Sequence, residues 1–237
     1  MIYITGNTHG DIRRFQTDTA KKLTAQDTLI VCGDFGFIWD GGKKEEKQLD
    51  QLSKKPYTIL FVEGTHENFD LLNAYPKKEW NGGKVHEIRP NILHLMRGEL
   101  FEIENHSFFA FGGGETEEKE IYMETGKWWP EETPTREEMI AGVNRLFDRG
   151  LSVDYILTHE PCPNHVLVGT RQDVPRSALQ VFLEEMVHKV TYKQWFFGAQ
   201  HIDRAMNRRH ISVFEKMIPI VDTDLQTGRG KYSKTNY

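Results

Sequence analysis

A chain of 237 residues with 38% hydrophobic and 11% aromatic side chains can build a sizeable core, which excludes global disorder. Its formal net charge of -5 and pI near 6.1 exclude an overall positive field, so nucleic acid is not an expected partner. A phosphate group would have to be held by metals or by a few local groups. The two cysteines, Cys32 at the end of an apolar run and Cys162 in the loop EPCPN, make no disulfide framework, and Cys32 reads as a buried core thiol. The opening MIYITGNTHGD lacks the basic start, apolar run and cleavage site of a secretory leader. The longest apolar run is far short of the roughly 20 residues that span a bilayer. A cytoplasmic protein without membrane association is expected.

In chain order, short apolar and β-branched runs predict strands at 2–5, 28–32, 57–62, 153–158 and 195–197. Helix-like segments fall between them at 11–23, 43–53, 135–149 and 176–189. Thr135 and Glu138 form a capping box for the third, with Ile140, Val143, Leu146 and Phe147 as its apolar stripe. Residues 91–111 have a different texture, ILHLMRGELFEI and SFFAFGGG, and read as antiparallel strands joined by turns. Alternating β and α elements with an added strand block predict an α/β sandwich in one domain, residues 1–222, followed by a polar tail at 223–237.

The strand ends carry the chemistry. The first strand leads to Gly6-Asn7-Thr8-His9, the second to Gly33-Asp34, and the third to Gly64-Thr65-His66-Glu67. The fourth leads to His159, and the fifth to Gly198-Ala199-Gln200-His201. In open α/β sheets ligands sit beyond the carboxyl ends of strands, so these His and Asp residues are candidates for one shared site. Imidazole with carboxylate and amide oxygen suits Zn, Mn, Fe or Ni rather than a thiolate-bound metal. Singly, each signal is also what a turn or a hydrogen-bonded structural residue would give.

Taken together and in this order, the motifs resemble those of the calcineurin-like metallophosphoesterase family: Asp-x-His, Gly-Asp, Gly-Asn-His-Asp/Glu, a lone His, and Gly-His-x-His. The phrases GDFG, HENFDLL, KWWPEE and WFFG look like a bacterial branch of it. The resemblance implies a four-layer α/β/β/α sandwich, two adjacent metal ions and a phosphate-ester ligand. It implies a first metal held by position 7, His9, Asp34 and His201. It implies a second held by Asp34, position 65, His159 and position 199, with His66 as the protonated histidine that assists the leaving oxygen.

Three of these positions depart from the pattern. Asn7 stands where the family has Asp, Thr65 where it has Asn, and Ala199 where it has His. Asn7 can still offer a carbonyl oxygen, so the first site keeps four donors. The second keeps only Asp34 and His159, with Thr65 a poor neutral donor. Two divalent ions about 4 Å apart repel by something on the order of 16 kcal/mol at an effective dielectric of 20. Asp34 alone opposes this, so at most one ion per chain is expected, with hydrolysis impaired or absent. The alternatives are a working phosphatase or phosphodiesterase using the retained ligands, with Asp11, Glu67, Glu115 or Glu160 as a replacement carboxylate, and a non-catalytic protein that binds a phosphorylated ligand or a protein partner. Arg13 and Arg14 are candidates for a substrate phosphate. Trp128-Trp129-Pro130 reads as an aromatic wall or as a pin for a long loop. Arg204, Arg208, Arg209 and His210 read as a solvated face, a hairpin turn or a phosphate-binding patch.

Overall fold

The computed structural model describes residues 1–116, 118–161 and 176–220. Cys162 and the expected tail at 223–237 lie outside them. Among the described residues thirteen strands form two sheets. The first holds β1 (Ile2–Gly6), β2 (Thr28–Cys32), β3 (Thr58–Val62), β4 (Lys77–Trp80), β5 (Gly83–Arg89), β6 (Ile92–Leu95) and β13 (Ile218–Pro219), in the order β13-β1-β2-β3-β6-β5-β4. The second holds β7 (Glu99–Ile103), β8 (His106–Phe111), β9 (Tyr155–Thr158), β10 (Gln194–Phe197), β11 (Arg204–Ala205) and β12 (His210–Ser212), in the order β11-β12-β10-β9-β8-β7. β1, β2 and β3 run parallel, Ile4 opposite Ile30 and Ile30 opposite Leu60. β8, β9 and β10 run parallel in the other sheet.

Side chains alternate across each strand, and this period-two pattern builds three apolar layers. Ile4, Ile30, Leu60 and Leu93 face Phe101, Phe108, Tyr155 and Phe196 between the sheets. Leu29, Val31, Ile59 and Phe61 turn outward onto Leu49 and Leu52 of α1 (Lys43–Leu52) and Leu72 of α2 (Phe69–Ala74). Phe109, Phe111, Ile156 and Trp195 turn to the opposite outer face. There they meet Leu146 of α4 (Arg136–Asp148) and Leu179, Leu183 and Met186 of α5 (Ala178–Lys189). The result is the expected four-layer α/β/β/α sandwich. A short α3 (Lys119–Glu124) precedes α4. No described helix is long and apolar enough to cross a membrane, and Cys32 is fully buried.

The structure revises three sequence expectations. Residues 11–23 form two 3-10 turns, Ile12–Gln16 and Ala20–Lys22, instead of one helix. The Thr17 hydroxyl accepts from the Ala20 N–H, and a side chain that captures backbone donors in this way competes with a continuous helix. Residues 92–103 are not a hairpin. β6 pairs parallel with β3, whereas β7 pairs with β8 in the other sheet, so Met96-Arg97-Gly98 crosses between sheets. An apolar alternation of period two is the same for either pairing, so it could not distinguish them. The capping box of α4 is present, but its stripe is rotated. Met139, Gly142 and Leu146 face the sheet, while Ile140, Val143 and Phe147 are exposed. The cause is Gly142. Its bare Cα lies against Gly98, Phe109 and Phe111 and lets the helix approach closely on that side.

Candidate metal centre and active site

The parallel strands of both sheets end on one side, and their C-terminal loops bring His9, Asp34, His66, His159 and His201 together. Asp34 is the hub. Its Oδ1 accepts from the backbone N–H groups of Thr65 and His66 at 2.7 and 2.9 Å. Its Oδ2 takes the Asn7 amide at 3.0 Å and His66 Nδ1 at 3.2 Å. His9 Nε2 lies 3.9 Å from Oδ2, and His159 Nε2 lies 3.8 Å from Oδ1. His9 Nε2 and His201 Nε2 are 3.2 Å apart.

Glycine makes the crowding feasible. A Cβ on Gly64 would sit 2.0 Å from Asp34 Oδ1, and one on Gly33 would sit 2.0 Å from the His159 ring. His9, Asp34 and His201 themselves adopt left-handed backbone, with φ of 46°, 43° and 51°. Residues without that freedom bear a conformational cost, which surrounding structure must hold in place and which concentrates at functional sites.

Electrostatics follow from the packing. Burial pushes the Asp34 carboxyl up, but His159, His66 and His9 together outweigh it and hold it well below the usual carboxylate range. Burial lowers the pKa of His9 and His201, which favours the neutral imidazoles a metal requires. His66 is raised, chiefly by its hydrogen bond to Asp34, so it is more inclined to carry a proton than His9 or His201.

The model for calcineurin-like phosphoesterases matches residues 1–213. The chain belongs to that family. Its members act on phosphate esters with divalent metals. No curated protein matches the sequence. Among solved structures, a candidate 5'-nucleotidase from Staphylococcus aureus, crystallised with α-ketoglutarate, is similar at 11% identity and a TM-score of 0.47. That match covers 90% of this chain and 48% of the other, so the chain spans about half the length of that protein. The phosphopantetheinyl hydrolase PptH from Mycobacterium tuberculosis is similar at 15% identity and a TM-score of 0.42, covering 89% of this chain and 87% of that one.

Among the described residues the donors are unevenly divided about Asp34. His9, Asp34 and His201 present ligand atoms within 4.8 Å of one another. Tetrahedral ligands with bonds of about 2.0–2.2 Å stand about 3.3–3.6 Å apart, and the His9–His201 and His9–Asp34 separations are 3.2 and 3.9 Å. The Asn7 amide turns its nitrogen to the cluster, 2.8 Å from His201 Nε2, while its buried Oδ1 has no partner. A half-turn of the amide would bring that orphaned oxygen to an ion. The second position lacks such a set. Thr65 Oγ1 lies 3.4 Å from His66 Nδ1, Ala199 has no donor atom, and His159 Nδ1 points at Gly33.

The remaining candidates have other partners. Arg14 donates to the carbonyls of Asn7 and Phe214 and stacks on the Phe214 ring. Arg13 lies in solvent and pairs with Asp11, which also caps the first 3-10 turn. Glu67 is fully buried and accepts from the Phe35 and Gly36 N–H groups. Glu115 is exposed. Glu160 is different: its carboxyl lies beside Thr65 and Gly114 and within the influence of Asp34 and His159. Strand alternation would have sent it to the other face, but the chain leaves the strand at Thr158. Arg209 covers the Tyr192 ring, and His210 is buried against the Tyr192 hydroxyl. Trp129 packs on Trp39 and donates to Asp70, while Trp128 lies under Lys119.

The sequence reading did not single out Trp39 or Tyr122. Tyr122 Oη is 2.8 Å from His66 Nε2, and Trp39 flanks both rings. A lone Tyr on a six-residue helix carries no motif that could have pointed to it.

Proposed function

We propose that this chain binds phosphate esters at the Asp34 cluster, holds at most one divalent transition metal there (Mn, Zn, Fe or Ni), and is impaired for hydrolysis. The observation that carries the reading is the contrast between the two halves of the cluster. His9, Asp34 and His201 converge as a ligand set, whereas Thr65 and Ala199 leave Asp34 and His159 alone on the other side. A divalent ion in the first position would polarise a phosphate oxygen. The chain's own residues do the rest. Asp34 orients His66 through Nδ1, and His66 holds a proton at Nε2 for the departing oxygen. The backbone N–H groups of Thr65 and His66 fix the Asp34 carboxylate so that its other oxygen faces the ligand set.

A second reading, a working phosphatase or phosphodiesterase, is favoured by Glu160, whose half-buried carboxyl near Thr65 and Gly114 is a replacement anion for the second position. The test combines metal content with hydrolysis of an aryl phosphate. The unmodified chain saturated with Mn should hold one ion and turn over slowly. The combined change Asn7→Asp, Thr65→Asn and Ala199→His should hold two ions and gain several orders of magnitude in rate. Equal rates for the two proteins would refute the impairment and favour the second reading. A chain that binds neither metal nor phosphate would leave a protein partner as the ligand class to pursue.

A further inference from the structure

His66 meets Asp34 through Nδ1, so Nε2 is the nitrogen left to face a substrate oxygen. An oxygen already stands there, the Tyr122 hydroxyl at 2.8 Å. The phenol ring meets the His66 ring edge-on, with centroids 5.5 Å apart and planes at 89°. It meets the Trp39 indole at 6.1 Å and 76°, and Trp39 is backed by Trp129 at 5.6 Å and 72°. Such edge-to-face contacts are the geometry in which aromatic rings attract. The Glu118 carboxylate flanks the same hydroxyl.

The helix that carries Tyr122 has little other reason to lie there. α3 spans six residues and buries none of them, and the neighbours Ile121 and Met123 are 60% and 55% exposed. Beside His66 a groove of about 330 Å³, which Trp39 also lines, runs past His9, Gly10, Gly36 and Gln48, leaving the ligand set reachable from solvent. The site therefore has an open approach and, against Trp39 and His66, an aromatic recess filled by the protein's own phenol.

We propose that Trp39, Trp129 and the edge of His66 form a leaving-group subsite for an aromatic ring, that Tyr122 occupies it in the free chain, and that the ligands are phosphate esters of aromatic alcohols. The inference rests on reading the Asp34 cluster as a phosphate-ester site. In hydrolysis, the bond from phosphorus to the aryl oxygen breaks with its electron pair on that oxygen. The proton on His66 Nε2 moves there to give a phenol. Water supplies the hydroxyl that phosphorus gains, and its other proton restores His66. The phenol product would then make the contact that Tyr122 makes now.

The test is calorimetric titration of the full chain, with Mn²⁺ present, against phenyl phosphate, glycerol phosphate and inorganic phosphate. Tyr122→Ala empties the recess and should tighten phenyl phosphate about tenfold, roughly what one hydrogen bond and an aromatic contact contribute. Glycerol phosphate and inorganic phosphate should change by less than about twofold, since neither has a ring to fill the recess. Tyr122→Phe keeps the ring and loses the hydroxyl, and should give an intermediate gain. Weaker phenyl phosphate binding in Tyr122→Ala overturns the proposal, because Tyr122 would then be part of the binding surface. An equal gain for glycerol phosphate also overturns it, since the recess would not select rings. Inorganic phosphate that binds no variant refutes the phosphate-ester reading itself. Phosphate that binds while the ring preference is missing refutes the subsite alone.

Discussion

Replacing Asn7 by aspartate should raise the affinity for a divalent ion by about 10²–10³-fold at neutral pH, or about 3–4 kcal/mol. The Asn7 amide nitrogen stands 3.0 Å from Asp34 Oδ2 and 2.8 Å from His201 Nε2, so it neutralises part of the carboxylate in the free protein. An aspartate oxygen in that place would bring two carboxylates to about 3 Å, a repulsion of about 5 kcal/mol at an effective dielectric near 20. A cation relieves all of it, whereas without one the pair takes up a shared proton. The ion must displace that proton, so the observable gain is smaller than the full repulsion. The assay is titration of Mn²⁺ or Zn²⁺ into both proteins at pH 6 and pH 8. The variant should bind more tightly than the unmodified chain, with a difference that widens as pH rises and the shared proton is lost. Unchanged or weaker binding at both pH values would refute the reasoning, because Asn7 would then not face the ion. Metal-free Asn7→Asp should also melt lower than the unmodified chain, and added ion should reverse the order.

Two further predictions concern carboxylates outside the ligand set. Glu63 is buried and accepts from Arg97 Nε at 2.7 Å and His94 Nε2 at 2.8 Å. Glu63→Ala leaves His94 Nε2 without its carboxylate and Arg97 with only Glu138 and the Glu131 carbonyl, and should cost about 1–3 kcal/mol of unfolding free energy in urea titration, and a loss below about 0.5 kcal/mol would count against the network. Burial pushes the Glu63 carboxyl up, yet Arg97 and His94 outweigh it and bring it down to about 2, so its contribution is complete above the unfolded carboxylate range and fades as pH falls towards 2. Glu67 has the opposite sign: burial first, and then Asp34, raise its carboxyl well above the ordinary value. The folded state then binds the extra proton, and stability declines as pH climbs above the unfolded pKa. Glu67→Gln should therefore compare more favourably with the unmodified chain at pH 8 than at pH 5, and parallel pH profiles would contradict this.

How much of this was legible in the sequence depended on the kind of signal. The strand ends were legible because each motif residue follows directly on a buried β-branched run, and parallel strands must end on the same side. The hairpin of β4 and β5 went unread despite a local cue. Asn81-Gly82 takes positive φ at both residues, 48° and 94°, the turn that such a dipeptide favours. The strands on either side, KKEW and GKVHEIR, carry too many charges to stand out by hydropathy. The rotated stripe of α4 was illegible for another reason. Hydropathy ranks Val143 and Phe147 above Gly142, but the close contact with Gly98 depends on size, which periodicity does not weigh. Trp39 reaches His66 from a loop and Tyr122 from α3, far apart in sequence, and no spacing rule connects them.

The departures at positions 7, 65 and 199 also bear on how the site holds together without an ion. A cluster of four imidazoles around one buried carboxylate needs donors to satisfy Asp34. The chain supplies them from the Asn7 amide, two backbone N–H groups and His66 Nδ1. An aspartate at position 7 would remove one donor and add a charge, so the same geometry would then depend on a cation. On the proposed reading, Asn7 thus supplies by a hydrogen bond what an aspartate would draw from a cation. The exchange is visible in the atoms left over. Asn7 Oδ1 and His159 Nδ1 are buried without partners, one on each side of Asp34. The hydrogen-bonded mesh thus satisfies the centre of the cluster and leaves polar atoms unsatisfied at its edges. Restoring the ligand set at all three positions should matter more than any single reversion, because one added donor at the second position still leaves too few to hold an ion.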